Sequence, residues 1–216
     1  MSEHTATEPA ILTLEELREA EVECRRCGLY GPATQVVPGQ GPAPAQLMLV
    51  GEQPGHEEDL QGLPFVGPAS RVLDRALHDA GIDRHRIFIT NAVKHFKFEQ
   101  CGKRRLHKRP NTYEIDRCRW WIDIEKAIIK PTVIVALGAT AARSLLGKSV
   151  SISAVRGNIL TQGDGTRLVI TIHPSYLLRI KDPTDKAREY RGFVQDLKSA
   201  QEVSQMVAAP RHHLHR

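Results

Sequence analysis

Gln46-Leu47-Met48-Leu49-Val50 runs directly into Gly51-Glu52-Gln53-Pro54-Gly55. The first five residues are a short, almost unbroken apolar run, and the next five are turn-formers carrying two polar side chains. Such a run, bounded by glycine and proline, suits a strand buried on both faces. Three more runs of this kind follow, over residues 87–90 (IFIT), 132–137 (TVIVAL) and 168–172 (LVITI). Between them apolar residues recur at helical spacing. Over residues 69–80, Val72, Leu73, Ala76, Leu77 and Ala80 share one face and Gly81 marks the stop. Further helices are expected over residues 13–23, 112–129, 139–146 (stopped by Gly147) and 184–203. Strands alternating with helices predict an α/β fold in which a mainly parallel sheet lies between helices, with ligand sites at the carboxyl ends of the strands.

A chain of 216 residues fits one compact domain with short tails. Its 30 Lys plus Arg against 25 Asp plus Glu give a net charge of +5, compatible with a polyanionic partner without requiring one. No apolar run reaches the roughly 20 residues that span a bilayer, and residues 1–8 are polar, so a cytoplasmic protein without membrane contact is expected. Residues 31–45 are rich in proline and glycine and read as a wandering loop, and residues 204–216 read as a disordered tail.

Candidate chemistry sits at the strand ends: the Gly51–Gly55 turn after the first, Asn91 after the second, and His173-Pro174-Ser175 after the last. The turn suits backbone N–H groups approaching a ligand, with Glu52 and Gln53 directed into it, though a surface carboxylate on a turn has the same look. Asn91 offers an amide donor and a carbonyl acceptor, or simply caps a turn. His173 is either a donor to a ligand or a structural imidazole. Phe65, in a loop bounded by glycine and proline, is either a flat wall or an ordinary core aromatic. Lys103-Arg104-Arg105-Leu106-His107 has no apolar period and reads as a basic loop, commonly a phosphate grip. Four cysteines are present, and Cys24-x-x-Cys27 after a helix favours metal over a thioredoxin-type redox pair.

Taken together, these segments resemble the family 4 uracil-DNA glycosylases, and most closely their covalently DNA-trapping branch known as UdgX. The matching stretches are Cys24-x-x-Cys27-Gly28-Leu29-Tyr30, residues 50–55, Gly62-Leu63-Pro64-Phe65-Val66-Gly67-Pro68, Thr90-Asn91-Ala92-Val93-Lys94 and residues 173–179, covering nearly the whole chain. The insertion ending in Lys103-Arg104-Arg105-Leu106-His107 resembles the loop that separates the UdgX branch.

The resemblance implies a three-layer α/β/α sandwich as a single domain over residues 1–203, an N-terminal cluster-binding segment, uracil-containing DNA as partner, single-stranded by preference, and a monomer. Uracil would be held by Gly51, Gln53, Phe65, Asn91 and His173, with Glu52, His107 and His173 catalytic. Lys103, Arg104, Arg105, Ser175 and Arg179 would meet DNA. Glycosidic cleavage passes through an oxocarbenium-like state that Glu52 can stabilise, and His173 can donate to uracil O2 as charge builds on the leaving base. His107 would then attack C1′, with Glu52 taking the displaced imidazole proton, leaving protein bonded to DNA after one turnover. The same resemblance implies a 4Fe-4S cluster on Cys24, Cys27 and Cys118, with structural zinc as the alternative metal. The fourth ligand is open: the chain reads Val93-Lys94-His95 where family 4 relatives place a cysteine, so His95 is favoured over Cys101.

Overall fold

The computed structural model describes residues 11–208. Thr13 starts α1 (Leu14–Val22) through a capping box: its hydroxyl accepts the Glu16 amide, and the Glu16 carboxylate accepts the Thr13 amide. There follow β1 (Leu47–Gly51), α2 (His56–Gln61), α3 (Pro68–Asp79), β2 (Phe88–Asn91), β3 (Phe98–Cys101), β4 (Arg104–His107), α4 (Thr112–Ile129) and β5 (Val133–Leu137). The chain continues through α5 (Ala139–Leu146), α6 (Ile152–Val155), β6 (Ile159–Thr161), β7 (Arg167–Thr171), α7 (Pro174–Arg179) and α8 (Pro183–Ala208).

The main sheet has the order β2-β1-β5-β7-β6; its first four strands are parallel and β6 pairs antiparallel at the edge. Alternation along β1 shows why the run had to be apolar throughout. Leu47 and Leu49 face a core built with Leu73 and Leu77 of α3 and Phe193 and Leu197 of α8. Met48 and Val50 face the opposite core, with Ile122 and Ile129 of α4 and Ala141, Ala142 and Leu145 of α5. Helices therefore cover both faces, giving the three-layer α/β/α architecture. The chain leaves β1 towards β2 on one side and returns through β5 on the other, so a crevice opens beyond the carboxyl ends of β1 and β5. A third cluster packs α1 on α4 through Leu17, Leu29, Ile115, Trp121 and three cysteines.

Three features depart from the expected pattern. The basic segment is not an irregular loop: β3 and β4 form a two-stranded antiparallel hairpin, with Gly102 at φ +57° in its turn. Helix α8 continues to Ala208, so residues 204–208 are helical rather than tail; residues 209–216 lie outside the described residues. The short α2, α6, α7 and β6 carry too few turns or residues to show a period. Among the described residues, no helix is long and apolar enough to cross a membrane.

Candidate active site

The crevice is a cavity of about 1300 Å³ whose lining includes Glu52, Gln53, Phe65, Asn91, His107 and His173. Residues from five separate segments thus meet at the carboxyl ends of β1, β2 and β7. Parallel pairing brings Gly51 level with Asn91, and it continues past the strand ends through Ala92 N–H to Gly51 O at 3.0 Å and Val93 N–H to Glu52 O at 3.1 Å. Gly51 cannot carry a side chain. A methyl there would sit 2.3 Å from Asn91 Oδ1 and 2.6 Å from the Phe65 ring, so the Asn91 amide and the aromatic wall close directly over its backbone. Phe65 adopts φ +54°, a left-handed conformation costing a bulky residue about 1–3 kcal/mol. Its carbonyl accepts from Arg84 at 3.2 Å. The carboxylate of Glu58 ties the two loops together, accepting the Gly55 amide at 3.1 Å and the Gly67 amide at 3.0 Å.

His173 caps α7, its Nδ1 accepting the Ser175 amide at 3.2 Å. The ring proton is therefore on Nε2. Burial, only partly countered by Glu52, holds this imidazole at a pKa of about 4, so at neutral pH it is an uncharged N–H donor. Ser175 Oγ lies 2.8 Å from His173 Nδ1 and accepts from Arg179 at 3.2 Å, which makes Ser175 a link between the two.

Glu52 follows β1 and splits its carboxylate between two neighbours: Oε2 accepts the Thr140 hydroxyl at 2.6 Å, and Oε1 lies 3.5 Å from His107 Nε2. His107 ends β4, and Gln53 sets its orientation. The Gln53 amide is fixed by backbone: Oε1 accepts Lys97 N–H at 3.0 Å, while Nε2 donates to Lys97 O at 3.2 Å and Lys108 O at 2.9 Å. The same nitrogen stands 2.9 Å from His107 Nε2. The two hydrogens of that amide serve the Lys97 and Lys108 carbonyls, and His107 Nε2 stands between Gln53 Nε2 and Glu52 Oε1, where a proton on Nε2 has the carboxylate as its acceptor. The Gln53 side chain therefore holds both ends of the hairpin from the cavity lining.

Arg105 is likewise not the open phosphate grip that its sequence neighbours suggested. Its guanidinium turns inward, donating to Asp59 Oδ2 at 2.6 Å, Thr34 Oγ1 at 3.0 Å and His56 Nδ1, with the rings of Phe96 and Phe98 beneath it. Its side chain is 13% exposed. Lys103 and Arg104 are exposed at the hairpin turn, and Arg109 and Arg179 are exposed in the cavity lining. Arg109 and Thr140 were not singled out from sequence. Arg109 belongs to the same run of cations, whereas nothing local marks Thr140.

Cys24, Cys27 and Cys118 are buried together between α1 and α4. Two N–H groups point at their sulfurs, Trp121 Nε1 at 3.2 Å from Cys24 Sγ and Lys94 N at 3.3 Å from Cys118 Sγ. Burial raises the thiols of Cys27 and Cys118. Buried sulfurs with aimed N–H donors are what a thiolate-bound iron–sulfur group calls for. Among the described residues, no three such side chains converge to hold a single metal ion. A cluster spreads its ligands wider than one ion does. His95 is buried beside Lys94, whose amide meets Cys118, while Cys101 is exposed at the end of β3.

Residues 38–198 match the model of the uracil DNA glycosylase superfamily. The chain is 39% identical over 194 residues to a type-4 uracil-DNA glycosylase of Thermotoga maritima, covering 87% of this chain and 95% of that one. It is 34% identical over 175 residues to the type-4 uracil-DNA glycosylase of Pyrobaculum aerophilum, covering 78% and 86%. It is 29% identical over 157 residues to that organism's type-5 uracil-DNA glycosylase, covering 65% and 66%.

Proposed function

The chain belongs to the uracil-DNA glycosylase superfamily, and we propose that it excises uracil from DNA and is then trapped on the abasic sugar through His107, as in the UdgX branch. The base would lie against Phe65, with its polar edge read by Asn91 and its O2 facing the His173 N–H. A single strand is the preferred substrate, because no base pair has to be broken before the base enters the cavity.

Uracil leaves with the electron pair of the C1′–N1 bond, and the sugar becomes an oxocarbenium ion that the Glu52 carboxylate stabilises. The Nε2 lone pair of His107 then forms a bond to C1′, and the resulting imidazolium can lose its Nδ1 proton to solvent. Glu52 stabilises the cation and, where the ring proton starts on Nε2, takes it as the bond forms, so that either route ends in the same neutral N-alkylimidazole. Arg109 and Arg179, with Lys103 and Arg104, are the cations available to phosphate. The observation that supports the reading is the position of His107 Nε2 in the cavity lining, 2.9 Å from the Gln53 amide nitrogen and 3.5 Å from Glu52 Oε1.

Conventional multiple-turnover hydrolysis is the second reading, favoured by the names of the type-4 relatives. A denaturing gel after incubation with a uracil-containing single strand separates the two. A heat-stable shifted band is expected from the native protein, and abasic DNA without a shift from His107→Ser. Abasic product without a band from the native protein supports hydrolysis instead, and unchanged DNA leaves only a binding module.

The cysteine group is read as holding a 4Fe-4S cluster through Cys24, Cys27, Cys118 and His95. Bound there, it would supply a structural crosslink between the N-terminal segment and α4. The burial of His95 and the exposure of Cys101 favour His95 as fourth ligand, and structural zinc on the same residues is the alternative metal.

A further inference from the structure

Thr140 is the second residue of α5, fully buried, and its hydroxyl is not spent on its own helix. The helix begins at Gly138, which makes no side-chain cap, and the Thr140 hydroxyl reaches across from the end of β5 to Glu52 at the end of the neighbouring strand β1. Among the described residues, the Glu52 carboxylate meets only two partners, one at each oxygen. Thr140 holds Oε2 at 2.6 Å on the buried side, which leaves Oε1 facing His107 and the cavity. Without that donor the carboxylate keeps only its contact with His107 among the described residues and can turn about its last torsion, a broad and weakly restrained one. The turn that places Thr140 is itself tight: Gly138 stands at φ +91°, and a methyl on it would lie 3.1 Å from the Cβ of His173.

We propose that Thr140 is a positioning residue for the glycosylase reaction, a buried hydroxyl that orients Glu52 so that one oxygen faces the sugar while its charge builds. The inference rests on the role given to Glu52 above. Thr140 does not line the cavity, so its effect has to pass through the carboxylate. A short hydrogen bond to a charged acceptor is worth enough that removing it slows the chemical step about 10- to 100-fold.

The test is single-turnover uracil release by the native protein, Thr140→Val, Thr140→Ser, Glu52→Gln and the Glu52→Gln/Thr140→Val pair, alongside binding of an oligonucleotide carrying a non-cleavable uracil nucleotide. Valine keeps the volume and removes the donor; serine keeps the donor. The expected pattern is a rate about 10- to 100-fold lower for Thr140→Val, affinity within about twofold, near-native rate for Thr140→Ser, and no added loss when Thr140→Val is combined with Glu52→Gln. Independent, multiplicative losses in the pair would overturn the proposal, as would a native rate in Thr140→Val or a slow Thr140→Ser. A native protein that releases no uracil overturns the glycosylase reading and this inference with it; a strong Glu52→Gln defect with a normal Thr140→Val rate overturns this inference alone.

Discussion

Gly51 shows how little room the cavity leaves at its base. Its missing side chain lets the Asn91 amide and the Phe65 ring approach the same backbone atom, so the aromatic wall and the hydrogen-bonding edge are set at a fixed separation. Phe65 accepts a left-handed backbone to reach that position, the kind of local strain that a surrounding structure has to enforce. The Gly51→Ala methyl would strike both groups. Its expected result is uracil release slower by about 100-fold or more, and stability lower by about 1–3 kcal/mol from overpacking, checked by single-turnover kinetics and urea unfolding. His173 illustrates the opposite economy: one ring nitrogen is occupied by the α7 amide of Ser175, and the other is left as an uncharged donor.

At the scale of elements, the β3–β4 hairpin is a flap tied down at three places. Gln53 holds its two ends through Lys97 and Lys108, Arg105 ties its second strand to Asp59, Thr34 and His56, and Phe96 and Phe98 lie beneath that guanidinium. A two-stranded ribbon has little stability of its own, so these ties decide where His107 stands. Arg105→Ala is expected to raise protease cleavage within residues 98–107 and to slow adduct formation about 10-fold relative to uracil release, while leaving the salt dependence of DNA binding unchanged. Arg109→Ala should do the reverse, lowering the slope of log affinity against log salt by about one and sparing the flap. Equal slope changes in the two variants would show that Arg105 meets phosphate after all.

Across the whole molecule, the buried cysteine group joins α1 to α4 on the flank of the sheet, and Lys94, one residue before His95, is buried against Glu125 of α4 at 2.6 Å. The N-terminal helix packs on α4 at this point, so a cluster there would act as a staple for the segment. Protein purified without oxygen should absorb in the visible range with iron and sulfide present, and Cys118→Ser should lose that absorption and lower Tm by about 10 °C. Colourless protein carrying one equivalent of zinc would point to the other metal.

The architecture was legible in the chain because burial on two faces forces a strand to be apolar at every position, and burial on one face forces a helix into a 3.6-residue period. Both patterns appear in the sequence, and α4 and α5 fall where the period places them. The strand-end positions of Glu52, Asn91 and His173 followed from the same reasoning. The hairpin was not legible: its pairing is held by side chains distant in sequence, Gln53 and Asp59, rather than by any apolar alternation of its own. For the same reason Arg105 and its neighbours Lys103 and Arg104 look alike as letters and differ in the fold, where a buried carboxylate takes one guanidinium and leaves the other two cations to solvent. Thr140 is the clearest case, since 88 positions separate it from Glu52 and only the parallel pairing of β1 with β5 brings a hydroxyl to that carboxylate. Residue types and periodicity determine the layers and the ends of the strands; hydrogen bonds between those ends, which no local pattern encodes, decide which side chain faces the cavity and which is used to hold another in place.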